Sequence, residues 1–196
     1  MVLPPGWVRI PLRGGTWEAL DEKVFRGIEE IPEGVPREKG MAFRLAVRRR
    51  IGRMVGEARK AGGLDLYVPA RARPGVLMAA SFLVSELARP EGEAASPEVV
   101  LGRLAGDRRG GEGGALRGVG GTVAVRWEYV EPPGGEDVDM YARHVDYVLP
   151  VPGDDGRWLA VNFSTGGDGA PGSEFTRALA ELFDALMTTF RWHVAE

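Results

Sequence analysis

Thr122-Val-Ala-Val-Arg-Trp-Glu-Tyr-Val-Glu131 carries the period-two pattern of a strand from Thr122 to Tyr129. Val123, Val125, Trp127 and Tyr129 fall on one side of an extended chain; Ala124, Arg126 and Glu128 fall on the other, because successive strand side chains point to opposite faces. The same period recurs twice downstream. After the turn signal Pro132-Pro133-Gly134-Gly135 it runs through Tyr141, Arg143, Val145, Tyr147 and Leu149. After Pro152-Gly153-Asp154-Asp155-Gly156 it returns with Leu159, Val161 and Phe163 in the segment Trp158 to Thr165. Tight loops join antiparallel strands and cannot join parallel ones. The C-terminal half therefore predicts consecutive antiparallel strands.

Beyond these strands the period changes. Phe175, Leu179, Leu182, Phe183, Leu186, Met187 and Phe190 follow the 3,4-spacing of an amphipathic helix with Ser173 as its cap,. Such a helix needs an apolar surface, and the adjacent sheet is the nearest. Toward the N-terminus, Trp7 to Leu12 alternates as a short strand,. Gly14-Gly15 breaks it, and Thr16 offers an N-cap oxygen to a helix starting at Trp17 with Leu20, Val24 and Ile28 inward,. Pro32 and Gly34 end that helix, and Pro36 suits the first turn of a second one,. Phe43, Val47, Ile51, Met54 or Val55, and Ala58 form its inward face, up to Gly62-Gly63. Two helices with so short a connection predict an antiparallel hairpin.

Leu64 to Pro69 reads as a strand, and Val76 to Leu87, apolar on both faces through Leu83, as a central one,. Ser96-Pro97-Glu98 starts a short helix through Leu104, and charged, Gly-rich Asp107 to Gly114 reads as an exposed loop,. The expected fold class is α/β of the α+β type. It comprises a mainly antiparallel sheet of about five to seven strands, flanked by helices, with an N-terminal helical hairpin over about 17–62 and the sheet and C-terminal helix over about 64–192. The 196 residues fit one domain spanning 1–196,.

Composition narrows the chemistry. There is no cysteine, which excludes disulfides, thiolate metal sites and cysteine nucleophiles,. The N-terminus lacks the pattern of a signal peptide and no apolar run approaches a membrane span, so the expected location is cytoplasmic,. A net charge of −3 gives no bulk attraction for nucleic acid or anionic membranes,.

Motifs add little. Gly167-Asp168-Gly169-Ala170-Pro171-Gly172 spells G-x-G-x-x-G between a strand and a helix. A dinucleotide site also needs a following parallel strand with an acidic ribose ligand about 20 residues on. Here the given sequence reaches only its helix, so the stretch reads as a loop. No P-loop and no G-x-S-x-G elbow occurs,. His144 and His193 lack the spacing of a zinc pair, and Asp137, Asp139, Asp154 and Asp155 sit in turn-rich sequence where Asp caps local amides,. Asn162-Phe163-Ser164 fits a glycosylation sequon but falls within a strand. No catalytic residue, metal ligand or cofactor site is assigned.

One feature stands apart. Residues 36–61 hold nine Arg and Lys against Glu38 and Glu57, a net +7 that leaves −10 for the rest of the chain. Arg44 and Arg48 share one flank of this helix, and Arg49 and Arg53 another. These four are the candidate partner-binding residues, for an acidic protein partner. The competing reading pairs them with Glu18, Asp21, Glu22, Glu29 and Glu30 of the first helix and leaves the remainder solvated,.

Three segments, His144 to Gly153, Trp158 to Thr165 and Glu181 to Trp192, resemble a family of uncharacterised actinobacterial proteins. The order of a tyrosine-bearing strand, a hairpin, a strand ending Phe-Ser-Thr and a helix ending Phe-Arg-Trp is also similar to the PsbP-like fold. The resemblance implies an antiparallel sheet between helices and a role in protein binding rather than catalysis, and it carries over no functional residue. The expectation is a non-enzymatic interaction or accessory protein with a protein partner, associated with a secretion or envelope system. The alternative is a small-molecule-binding domain or hydrolase whose pocket lies between the helical hairpin and the sheet.

Overall fold

Strand β1 (Trp7–Pro11) leads into α1 (Thr16–Leu20), which continues as one π-helical turn over Asp21–Phe25. The computed structural model describes residues 1–26, 37–70, 79–88, 96–109, 112–133 and 141–193. The other elements are α2 (Arg37–Lys60), β2 (Gly63–Pro69), β3 (Ala79–Ala88), α3 (Pro97–Gly106), the two-residue strands β4 (Arg108–Arg109) and β5 (Glu112–Gly113), β6 (Ala115–Val119), β7 (Thr122–Glu131), β8 (Ala142–Val151), β9 (Asp154–Gly167) and α4 (Glu174–Thr188). Seven strands form one antiparallel sheet in the order β1-β2-β3-β9-β8-β7-β6. The long strand β9 joins two local units, the N-terminal β1-β2-β3 and the C-terminal meander β6 to β9.

Strand alternation sorts the core. On one face, Phe82, Val84, Val145, Tyr147, Leu149, Leu159, Val161 and Phe163 pack under α4, which contributes Leu179, Ala180, Phe183, Leu186 and Met187. The opposite face carries two separate clusters. Ile10, Leu12 and Leu66 meet Leu20, Val24, Phe25, Val55 and Ala58 of α1 and α2. Val125, Trp127, Val148, Trp158 and Ala160 meet Val100 and Leu101 of α3. Both faces of β3 are covered, as its apolar stretch through Leu83 predicts, with Phe82 and Val84 toward α4 and Leu83 toward the α1–α2 side,.

Several expectations are corrected. The N-terminal hairpin is not shown: the first helix is described as one α-helical and one π-helical turn up to Arg26, and the connection, with Ile28, Pro32, Gly34 and Pro36, lies outside the described residues. Side chains nonetheless bring the two helices into one cluster. Gly15, with φ of 64°, is the N-cap of α1. Thr16 lies inside the helix and is buried; its hydroxyl donates to the Pro11 carbonyl and accepts from Arg59. The segment from Asp107 to Gly114 contains the small β4–β5 hairpin, and β6 follows it as an edge strand. Gly120 and Gly121, with φ of 60° and 84°, make the two-residue turn into β7, and positive φ at both positions is what a type I′ hairpin requires. On α4, Leu182 is 36% exposed whereas Leu186 is 6% exposed, so Leu182 flanks the stripe rather than centring it.

Candidate functional site

Helix α2 carries the residues that the charge pattern singled out. Arg48 donates to Asp21 at 3.0 Å and lies over the Phe25 ring, 4.4 Å from its centroid. Arg59 donates to the Leu12 carbonyl at 2.8 Å and to Thr16 at 2.7 Å, tying the end of α2 to the β1–α1 junction. The Arg59 bonds are part-buried, whereas the Arg48–Asp21 pair is exposed. Arg44 and Arg53 also have interaction partners. Arg49 and Arg50 are exposed and pair with no carboxylate among the described residues. The four candidate arginines therefore divide: Arg48 meets the first helix, Arg44 is half-buried, and Arg49 and Arg53 are exposed, Arg53 with a partner of its own. Met41 and Leu45, one turn apart, are 57% and 51% exposed on the same helix. That apolar pair was not singled out from sequence, although i,i+4 apolar residues off the inward stripe are a readable sign.

A second polar group lies on the α4 face of the sheet. Arg126 and Tyr147 are direct cross-strand partners on β7 and β8. Arg126 makes a bidentate pair with Asp184 of α4, both bonds at 2.8 Å, and donates to Glu128 at 2.6 Å. Glu128 also accepts from Arg143, whose Nε donates to the Pro171 carbonyl at 2.9 Å. The Tyr147 hydroxyl donates to Asp184 at 2.8 Å. Two guanidiniums thus balance two carboxylates. Burial works against the Arg126 charge, but its bonds to Asp184 and Glu128 outweigh that and hold its pKa above the ordinary arginine value,. Burial, then the bond to Asp184, push the Tyr147 phenol up, so it remains a donor. Beside this network a cleft of about 260 Å³ opens between β6, β8 and α4, bordered by Arg117, Val119, Tyr147, Asp184, Met187 and Thr188. The pocket expected from sequence lay between the helical hairpin and the sheet; this one lies on the opposite face.

The remaining candidates are accounted for locally. His144 stacks on Tyr129 with centroids 5.0 Å apart and sits 3.1 Å from a Glu131 oxygen. No serine among the described residues hydrogen-bonds to it. Asn162 donates to the buried Asp146 at 2.8 Å, and Tyr129 donates to the same carboxylate at 3.2 Å. Asp154 accepts from the Gly156 amide within its hairpin. Asp137 and Asp139 lie outside the described residues. Among the described residues no group of three His, Asp or Glu could hold a metal ion, and no helix is long and apolar enough to cross a membrane.

The Gly167–Gly172 stretch is a loop that caps α4. Gly167 has φ of 54°, and a Cβ there would lie 1.8 Å from Thr176 Oγ1. Its glycine serves close packing of the loop on the helix. Asp168 accepts from the Ala170 amide and the Ser173 hydroxyl, while Ser173 Oγ caps the Thr176 amide. The loop thus supplies its own anion. The Ser173 hydroxyl first, then the Ala170 amide, hold the Asp168 carboxyl below its ordinary pKa. A depressed pKa stabilises the fold above the unfolded value and loses that contribution as pH falls through the folded one. Asp168→Asn is therefore expected to melt below wild type at pH 7, with the gap closing below about pH 4 as the carboxylate protonates. A gap that persists unchanged at pH 2 would count against the charge as its source.

Compared with known proteins, the chain matches no family model, no curated protein and no solved structure.

Proposed function

We propose that this chain is a non-enzymatic interaction protein that docks an acidic protein segment on the outer face of α2. The observation that carries the reading is that exposed Arg49 stands one turn from exposed Leu45, itself one turn from exposed Met41, on one flank of the helix, with exposed Arg50 about 100° further round,. Arginines that only solvate a helix need no apolar neighbours. A cationic helix face with an apolar pair suits an acidic amphipathic segment, whose charges meet the guanidiniums while its apolar side chains cover Met41 and Leu45. The remaining −10 of charge sets the rest of the surface against anionic lipid, which favours a protein over a membrane,. The resemblance to the PsbP-like fold, used mostly for protein binding, supports the same reading.

The test uses a fluorescent Glu- and Leu-rich peptide as probe. Wild type is expected to bind it with an affinity that weakens as salt rises. Arg49→Glu/Arg50→Glu is expected to lose at least tenfold in affinity with an unchanged melting curve, since exposed charges contribute little to stability. Equal binding by both proteins would overturn the proposal, as would binding only to vesicles of anionic lipid.

A further inference from the structure

We infer that the sheet face between the α1–α2 cluster and the α3 cluster holds a slot for a small, uncharged, flat aromatic ring with an amide-type polar edge. None of the residues that form it lies on α2, so it stands or falls independently of the docking surface.

Strand register sets six side chains in one row across the sheet. Val8 is opposite Val68, Ser81 is opposite Ser164, and His144 of β8 lies between Ser164 on one side and Tyr129 on the other. Val68 follows the Tyr67–Phe82 pair, which puts it beside Ser81. Directly opposed residues share a face. Their neighbours along the strands, Phe82, Val145 and Phe163, pack under α4, so the row points to the other side. All six residues of the row are half-buried, whereas the next row inward is closed by the buried side chains of Leu66, Asp146 and Trp127.

Side-chain size shapes the slot. The Tyr129 and His144 rings stack 5.0 Å apart with their planes 13° from parallel, which matches the strand separation of about 4.8 Å. Each ring stands over its own strand, and the second face of the imidazole looks along the row toward Ser164. Two serines come next, and Val68 and Val8, packed on the α1–α2 cluster, form the far side. A ring that continues the stack sits one strand spacing from His144, within the range of about 4.5–7 Å at which aromatic centroids pair. The floor sets its edge. The Ser81 and Ser164 hydroxyls have no hydrogen-bond partner among the described residues. Asn162, on the same face of β9, donates one amide hydrogen to Asp146 and retains its carbonyl and second hydrogen. Hydroxyls and primary amides both donate and accept, so they answer a donor and an acceptor side by side, as in an amide. Charge favours neither sign. The row carries no Arg or Lys, and Glu131 beside His144 repels an anion,. Asp146 lies a row deeper and already accepts from Asn162 and Tyr129, so the slot offers hydrogen bonds rather than a counter-ion.

Benzamide is the probe. Benzoate retains its ring and adds a charge; cyclohexanecarboxamide retains its amide and loses the flat ring. Wild type is expected to show saturable NMR shifts of the Ser81, Asn162 and Ser164 amides and of the His144 ring with benzamide, at a dissociation constant below about 1 mM, a weak-ligand affinity. Both counterparts should bind at least tenfold more weakly. Ser164→Leu fills the slot beside the imidazole and should lose at least tenfold in benzamide affinity. Ser81→Ala/Ser164→Ala leaves the space and removes both hydroxyls. It should lose at least fivefold with an unchanged melting curve, and it decides the matter alone if the leucine lowers the melting point. The proposal is overturned if benzamide fails to saturate, if cyclohexanecarboxamide or benzoate binds equally well, or if the double alanine variant binds like wild type.

Discussion

Phe183→Ala is expected to lower the free energy of unfolding by about 3–5 kcal/mol, the range for emptying a buried aromatic position. Phe183 sits at the centre of the α4 face and is 1% exposed. Its ring stacks on Phe163 at 4.9 Å and meets Phe82 at 5.5 Å and Tyr147 at 5.9 Å. Those partners come from β9, β3 and β8, so one side chain bridges both halves of the sheet and fixes the helix on them. The rings around the hole lie on paired strands and cannot close it without breaking register, which puts the loss toward the upper end. Urea titration checks it. The internal control is Leu182→Ala on the same helix, which at 36% exposure should cost less than about 1 kcal/mol,. Similar losses for the two variants would mean that α4 is not seated as described.

Leu182 shows where periodicity stops being informative. The 3,4-spacing of α4 fixes the existence, length and inward direction of the helix. It does not fix the width of the stripe, because positions 182 and 183 differ by only about 100° of rotation. The strands were legible for a stronger reason: a period of two allows only two faces, so the partners of Phe163 and Val145 follow from alternation once the hairpins are placed,. Strand β6 was missed because Ala115, Arg117 and Gly118 give no alternating hydrophobicity, and its edge position buries little. The signal that would have found it is the Gly120-Gly121 pair ahead of Thr122,.

The sites were less legible than the fold. Alternation put Ala124, Arg126 and Glu128 on one face, and a polar face invites a solvated reading. It is instead covered by α4, and what makes that tolerable is Asp184, 58 residues away from Arg126. A charge pair of that separation leaves no local trace in a sequence. The basic run on α2 did leave one, but it could not distinguish Arg48 and Arg59, which bond to the β1–α1 region, from Arg49 and Arg50, which pair with no carboxylate among the described residues.

Arg126→Met carries the other large expected effect, a loss of about 3–5 kcal/mol, the range for breaking a buried ion pair from one side. The Arg126 side chain is 14% exposed, and its removal leaves Asp184 and Glu128 with Arg143 as the remaining cation in the network. Asp184 is 34% exposed, so water answers part of its charge, and Asp184→Ala should cost less, about 2–3 kcal/mol. A double variant, Arg126→Met with Asp184→Leu, removes one charge of each sign and fills the space with apolar side chains. Buried pairs replaced in this way are often neutral, so the double variant should recover at least half of what Arg126→Met loses. The pair sits between sheet and helix, where salt screens poorly, and the Arg126→Met deficit should persist in 1 M NaCl. Strict additivity of the two single losses in urea titrations, or disappearance of the deficit in high salt, would show that Arg126 and Asp184 act as separate surface charges.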